Sequence, residues 1–239
     1  MAEAPEEVFG LPVDGGLQPM EWKDDAELFS LMKKELFTAV LGDVMDKLSF
    51  QRQFLPPEIK PLQAETVLVG RAMPVLEEDL AAEPDKPFGL MLEALDDLAA
   101  DEVYVASGGS LNHALWGELM STRAMALGAA GVVLDGFTRD TREILQLGFP
   151  VFCRGSYAQD VSFRGRITAF RVEVRIGQAT IRPGDILFGD IDGVLVIPHE
   201  IEAETVTRAL EKVRGEKLVR KALQEGMSAV EAFRKYGVM

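Results

Sequence analysis

The chain has 239 residues, 47% of them hydrophobic, enough for one large domain or two small ones with a real core. Asp and Glu number 39 against 25 Lys and Arg, a formal charge of −14, which disfavours nucleic acid and means that a site for an anionic metabolite must supply local positive charge or a metal. A lone cysteine, Cys153, excludes an internal disulfide and fits a cytoplasmic setting; the acidic opening "MAEAPEEVFGLPVDGG" lacks a signal-peptide pattern, and no apolar run approaches the roughly 20 residues of a membrane helix.

Residues 1–23, rich in Pro, Gly and acid, read as an N-terminal arm. Residues 24–48 carry apolar side chains at helical spacing, with a break near Leu36 to Thr38, which predicts two helices. "FLPPEIKPL" is predicted extended, because each Pro biases its predecessor away from helix. "ETVLVGRAMPVL" (65–76) predicts a strand pair or a strand bulged around Gly70. "KPFGLMLEALDDL" predicts a helix and "DEVYVASG" an alternating strand. "LWGELMSTRAMALG" (115–128) predicts a helix ended by Gly128. Then come "GVVLDG" as strand, "TREILQLG" as short helix and "PVFCRG" as strand. From 102 to 154 the order is therefore β-α-β-α-β, which implies parallel strands buried on both faces. Residues 161–197 alternate between turns at 176–177, 183–185 and 192–193, the pattern of antiparallel strands. From His199 to Arg220 the pattern is helical and charged, and "SAVEAFRKYG" predicts a last helix.

Two stretches carry chemistry. If the helix in "WGELMSTRAMALG" begins near Gly117, the N–H groups of Gly117, Glu118, Leu119 and Met120 belong to its first turn. Such groups lack partners inside the helix and sit at the positive end of its dipole, which makes them an anion socket. Gly117 has no Cβ, so a carboxylate can approach the backbone. Arg139 and Asp140 follow the strand "GVVLDG" at its carboxyl end, the edge where ligands gather in open α/β sheets. Arg offers a planar fork of donors to a carboxylate or carbonyl oxygen, and Asp is a hard ligand for a divalent cation. Each stretch also has a plainer reading: a packed helix start for Gly117, and for Asp140 a helix N-cap with Arg139 in a surface ion pair worth about 0–1 kcal/mol.

Glu118 and Arg139-Asp140 together spell E-x20-R-D, within residues 108–152, "GGSLNHALWGELMSTRAMALGAAGVVLDGFTRDTREILQLGFPVF". This stretch resembles the core of the RraA-like family, and "AVLGDVMDKL", "VGRAMPV", "PGDILFGDIDGVLVIP" and "EGMSAVEAFRKYGV" extend the likeness over roughly residues 36–239. The family includes metal-dependent 4-hydroxy-4-methyl-2-oxoglutarate/4-carboxy-4-hydroxy-2-oxoadipate aldolases, and also proteins that inhibit ribonuclease E by contact. The resemblance implies an α/β fold of the swivelling β/β/α type over residues 24–198, with the arm before it and a helical extension over 199–239. It implies trimers or hexamers with the active site near a subunit boundary. The aldolase branch carries D-x20-R-D. By likeness, Asp140 binds Mg²⁺ or Mn²⁺, Arg139 binds substrate and polarises the pyruvyl carbonyl, and the amides of Gly117, Glu118, Leu119 and Met120 hold the pyruvate carboxylate. Glu118 stands where the family has Asp and is expected to reach the metal through water. The implied activity is cleavage of 4-hydroxy-2-oxo dicarboxylic acids to pyruvate and a keto acid, with oxaloacetate decarboxylation as a companion. The alternatives are a non-catalytic ribonuclease regulator and a lyase for another oxo or sugar acid.

Other residues have plainer expectations. His113 reads as a structural or surface side chain more readily than a pocket residue, and His199 as a helix-start residue. Asp190 and Asp192 read as turn residues more readily than site residues, Trp116 as core or subunit contact, Arg71 as surface more readily than an anion holder, and Cys153 as a buried inert thiol more readily than a nucleophile.

Overall fold

The computed structural model describes residues 20–81 and 86–236, so most of the expected arm lies outside the described residues. Two helices open the described chain, α1 (Asp25–Glu35) and α2 (Thr38–Lys47), with the expected break between them. Asp24 caps α1 by accepting the Glu27 N–H, one of the four orphan donors of a helix start. After α2 the chain runs extended into β1 (Lys60–Pro61) and then β2 (Leu68–Asp79).

β2 is a single twelve-residue strand rather than a pair, and its irregularity lies between Leu76 and Glu77 rather than at Gly70. Its first half pairs with β11 (Ile186–Asp190), its middle runs parallel to β3 (Glu102–Ser107), and its far half pairs with β8 (Gly165–Phe170). A strand serving three neighbours cannot keep one uninterrupted register, and the shift falls where the β8 pairing crosses from Leu76 to Glu77.

β3, β5 (Gly131–Leu134) and β7 (Val151–Cys153) run parallel, as the β-α-β-α-β order predicts. Their residues are buried almost throughout, so β3 is a two-faced core strand despite its alternating composition. The crossovers carry α4 (Glu118–Ala126) and α5 (Thr141–Leu147), and α3 (Met91–Asp96) precedes β3. The full sheet has the order β1-β7-β5-β3-β2-β11-β12, with β8 on β2 and β12 covering Gly193–Ile197. It curls toward closure: Leu55 and Gln53, just before β1, exchange backbone hydrogen bonds with Val194 and Val196 of β12. Two short strands, β9 (Val174–Ile176) and β10 (Ala179–Ile181), form a separate hairpin.

The core has three parts. Ile59, Leu68, Val103, Val105, Phe152 and Leu187 belong to the cluster inside the curled sheet. Helices α1, α2 and the long α6 (Glu202–Gln224) bury Leu28, Met32, Leu41, Met45 and Leu210 against Phe188 and Leu195. Helices α3, α4 and α5 cover the parallel strands through Leu95, Ala124 and Ile144, together with Tyr104 and Trp116. Burying a side chain of this size contributes about 1.5–3 kcal/mol, so these three groups dominate the stability of the domain. A last helix, α7 (Ala229–Tyr236), packs on α6. No helix among the described residues is long and apolar enough to cross a membrane.

Candidate active site

A ladder that composition and periodicity do not signal brings the two chemical stretches together. β4 (Ala114–Trp116) and β6 (Phe137–Thr138) pair in parallel outside the main sheet, Ala114 with Phe137 and Trp116 with Thr138. The Arg139 N–H donates to Trp116 O at 2.9 Å, and the Thr138 hydroxyl donates to the same oxygen at 3.2 Å. This register sets Gly117 beside Arg139. Trp116 anchors the ladder from within: it is buried against Tyr104 and Phe149, and its indole N–H donates to the Ser121 hydroxyl at 2.7 Å.

Gly117 is the N-cap of α4, as the sequence predicts, and Gly128 follows the helix at φ +79. The Glu118 N–H donates to Asp140 Oδ2 at 3.2 Å. A Cβ on residue 117 would lie 2.6 Å from that oxygen, so the close approach requires glycine. The N–H groups of Leu119 and Met120 are first-turn donors without an acceptor inside the helix.

Asp140 is the backbone N-cap of α5, but its side chain makes no cap hydrogen bond there. It sits in the left-handed region, φ 55 and ψ 34, at a cost on the order of 1 kcal/mol for a residue with a Cβ. Its carboxylate turns instead to the start of the other helix. The plainer reading of Asp140, a carboxylate capping its own helix, is thereby replaced.

Arg139 stands between two carboxylates: Nη1 lies 3.1 Å from Asp160 Oδ1 and Nε 3.7 Å from Asp140 Oδ2. Arg139 and Asp140 are partly exposed, at 38% and 43%. Burial pushes the Asp160 carboxyl up, but the Ser162 hydroxyl and the Arg139 guanidinium outweigh it, and the net shift is below the usual range. Asp160 went unmarked in the sequence; a backbone bridge to Ala114 brings it to the ladder.

Arg139, Asp140, Asp160 and Gly117 line a cleft of about 220 Å³, whose other wall is apolar and includes Phe88, Met91, Leu119 and Met120. A second hollow of about 270 Å³ lies on the other flank of Arg139 and Asp140, against Ser156 and Tyr157. A larger, open hollow of about 740 Å³ at α6 and α7 shares none of these residues.

Glu118 only half joins the group. Its amide meets Asp140, but its carboxylate accepts from the Thr122 hydroxyl at 2.7 Å, one turn along the helix, and it is not part of the cleft wall. Leu119 is 79% exposed at the mouth.

The cleft's charged side chains, two carboxylates and one guanidinium, leave one negative charge uncompensated beside the N-terminus of α4. This is the deficit a divalent cation offsets, and Asp140 is a hard ligand left free by its own helix. No group of three or more His, Cys, Asp or Glu among the described residues is arranged to hold a metal. A Mg²⁺-type ion that draws one or two carboxylates from the protein and the rest from water and substrate does not need one. The donor set fits such an ion.

The remaining expectations resolve clearly. Arg71 is neither a surface side chain nor an anion holder: it is 18% exposed, bonds Asp25 and Glu202, and lies over the Phe29 ring. Asp190 joins the β11–β12 turn to α2 by accepting from the Thr38 N–H and hydroxyl. Cys153 is buried, and desolvation raises its thiol pKa, as suits an inert thiol. His199 opens a short 3₁₀ turn before α6 and is exposed. His113 is fully buried against Glu77.

Fold and site together define a mixed α/β protein whose curled sheet sets a helix N-terminus, a guanidinium and two carboxylates around one cleft. A family model for RraA-like proteins, Aldolase/RraA, matches residues 38–196, and the chain belongs to this family. It is 32% identical over 199 residues to a Halalkalibacterium halodurans protein provisionally named a 4-hydroxy-4-methyl-2-oxoglutarate aldolase, covering 82% of this chain and 89% of the relative. The crystal structure of an uncharacterised Pseudomonas syringae pv. tomato protein superposes with TM-score 0.77 at 28% identity, covering 88% of this chain and 99% of the other. That of Streptomyces coelicolor RraAS2, described as an unusual member of the RNase ES inhibitor RraA family, gives TM-score 0.72 at 23% identity, covering 83% and 98%; it speaks for the fold alone.

Proposed function

We propose that this chain is a divalent-metal-dependent carbon–carbon lyase that cleaves 4-hydroxy-2-oxo dicarboxylic acids to pyruvate and a keto acid, working as a trimer or hexamer. The observation that carries the reading is the meeting of Asp140 with the first turn of α4, beside Arg139.

The pyruvyl carboxylate docks on the free first-turn N–H groups of Leu119 and Met120, where the helix dipole favours negative charge. Arg139, held from one side by Asp160, directs its remaining donors at the 2-oxo oxygen. The C3–C4 bond then breaks, its electron pair passing to C3 and so to an enolate, while the C4 hydroxyl loses its proton and becomes a carbonyl. Charge develops on the 2-oxo oxygen, where a preorganised guanidinium lowers the barrier most. Asp140, with Glu118 acting through water, would hold a Mg²⁺ or Mn²⁺ ion, and the ion when bound would supply Lewis acidity for the developing enolate charge. The hydroxyl proton passes to a water held by carboxylate at the cleft. Asp160 already lines that space, whereas Glu118 reaches it only by leaving Thr122. The apolar wall of Phe88, Met91 and Met120 limits other water around the enolate until the carboxylate-held water returns a proton to C3 and pyruvate forms. Oxaloacetate decarboxylation passes through the same enolate and is the expected companion activity.

The test is pyruvate release from 4-hydroxy-4-methyl-2-oxoglutarate, with and without EDTA, by wild type and Arg139→Ala. Loss under both perturbations supports the reading. Activity indifferent to both ends it, and no turnover combined with capture of a basic ribonuclease segment replaces it with a binding function.

A further inference from the structure

The chain holds a second, fully buried polar group that the proposed chemistry does not use. Glu77 Oε1 and His113 Nε2 lie 2.7 Å apart, and both side chains are 0% exposed. The pair is only half satisfied: Glu77 Oε2 and His113 Nδ1 find no hydrogen-bond partner among the described residues. Burial pushes the Glu77 carboxyl up to about 7, with His113 opposing the shift. A buried pair of this kind often adds little net stability over apolar side chains of the same size, whereas removing one partner leaves the other buried and unpaired.

What the pair holds together is visible in the backbone. Glu77 sits at the register shift of β2, and two glycines from different segments close on its carboxylate. A Cβ on Gly109 would come 2.2 Å from Oε2, and one on Gly165 2.1 Å from Oε1 and 2.8 Å from His113 Nε2. His113 leads directly into β4 and the Gly117 socket. Gly165 is tied back to Val161, beside Asp160, by its N–H to Val161 O at 3.0 Å. The two segments are joined to each other where the Ala114 N–H donates to Gln159 O at 2.8 Å. Phe88, Met91, Leu115 and Val161 line both the cleft and a small void against Glu77, so one layer of side chains separates the pair from the cleft.

We propose that Glu77 and His113 are a positioning pair whose single buried hydrogen bond fixes segments 109–117 and 160–165, and with them the Gly117 socket and Asp160. The kinetic part of this proposal rests on the lyase reading; the structural part does not.

The experiment compares wild type, Glu77→Ala and Glu77→Gln by hydrogen–deuterium exchange of the intact chain and by pyruvate-release kinetics. In Glu77→Ala, amides of 109–117 and 160–165 exchange about 10-fold faster or more while α2, β11 and β12 keep wild-type protection. kcat/KM falls roughly 10-fold or more, with KM raised as the segment 109–117 loosens and kcat lowered only if Asp160 holds the proton-accepting water. Glu77→Gln, whose amide oxygen still accepts from His113 Nε2, restores both. His113→Leu, which cannot hydrogen-bond Glu77, carries the same expectation as Glu77→Ala and replaces it if Glu77→Ala does not fold. Wild-type protection of both segments in a folded Glu77→Ala overturns the proposal, and so does equal loosening of α2, β11 and β12. If wild type releases no pyruvate, the lyase reading falls and the exchange pattern alone decides the role of the pair.

Discussion

The Asp140 carboxylate accepts the Glu118 backbone N–H across 22 positions of sequence, although Asp140 is itself the N-cap residue of another helix. A carboxylate that leaves its own helix start unserved and meets the start of a second one is held there by the β4–β6 register and by a left-handed backbone. This contact ties the proposed cation ligand to the proposed anion socket.

Replacing Asp140 separates its two roles. Asn tolerates the left-handed backbone and accepts from Glu118 N–H, so Asp140→Asn keeps its melting temperature within a few degrees of wild type. Removing the charged ligand lowers kcat/KM by about 100-fold or more and weakens activation by Mg²⁺ or Mn²⁺. Pyruvate release against metal concentration, with thermal melts alongside, checks both halves.

Gly117→Ala places a methyl 2.6 Å from Asp140 Oδ2, the movable end of a side chain. The fold survives, because that end can rotate aside. The socket does not, and kcat/KM falls by about 10-fold or more. Isothermal titration with pyruvate in the presence of Mg²⁺ reads the change directly.

Glu118 and Asp160 compete for the role of holding the proton-accepting water. Glu118→Gln keeps the amide contact to Asp140 and can keep the Thr122 contact. If Asp160 holds the water, Asp160→Asn lowers kcat by about 100-fold while Glu118→Gln costs less than about fivefold. The reverse ranking assigns the water to Glu118.

The buried Glu77 makes a signed prediction about pH. Its carboxyl is raised from 4.5 in the unfolded chain to about 7 by desolvation, against the opposing effect of His113. Between these values the folded state binds the extra proton, so stability falls as pH rises from about 4.5 through about 7, then levels. The full effect is on the order of 3 kcal/mol, with Asp79 adding repulsion from the same strand and Tyr104 and Arg166 also facing the site. Urea denaturation at pH 5 and pH 8 shows this loss in wild type, and the slope shrinks in Glu77→Gln. Equal slopes in the two proteins would falsify the assignment.

Much of this fold is legible in periodicity. The helix break at 36–38 and the parallel β3, β5 and β7 follow from local patterns, and the likeness to RraA-like proteins marked Gly117, Arg139 and Asp140. Long-range register is what local patterns do not carry. β4 and β6 are three and two residues long, too short for a two-residue period to show, yet they align the site. In "VLEEDL" nothing local marks Glu77 as the buried acid, because that depends on where β2 slips against β8. Asp160 was missed for the same reason: a single backbone bridge in an irregular loop delivers it.

The ladder that carries the candidate chemistry hydrogen-bonds outside the eight-stranded sheet, so scaffold and reaction are separable inheritances. A descendant can rewrite the residues after Trp116 and Thr138 while the curled sheet keeps its registers, which lets one architecture diverge toward different ligands with little loss of foldability.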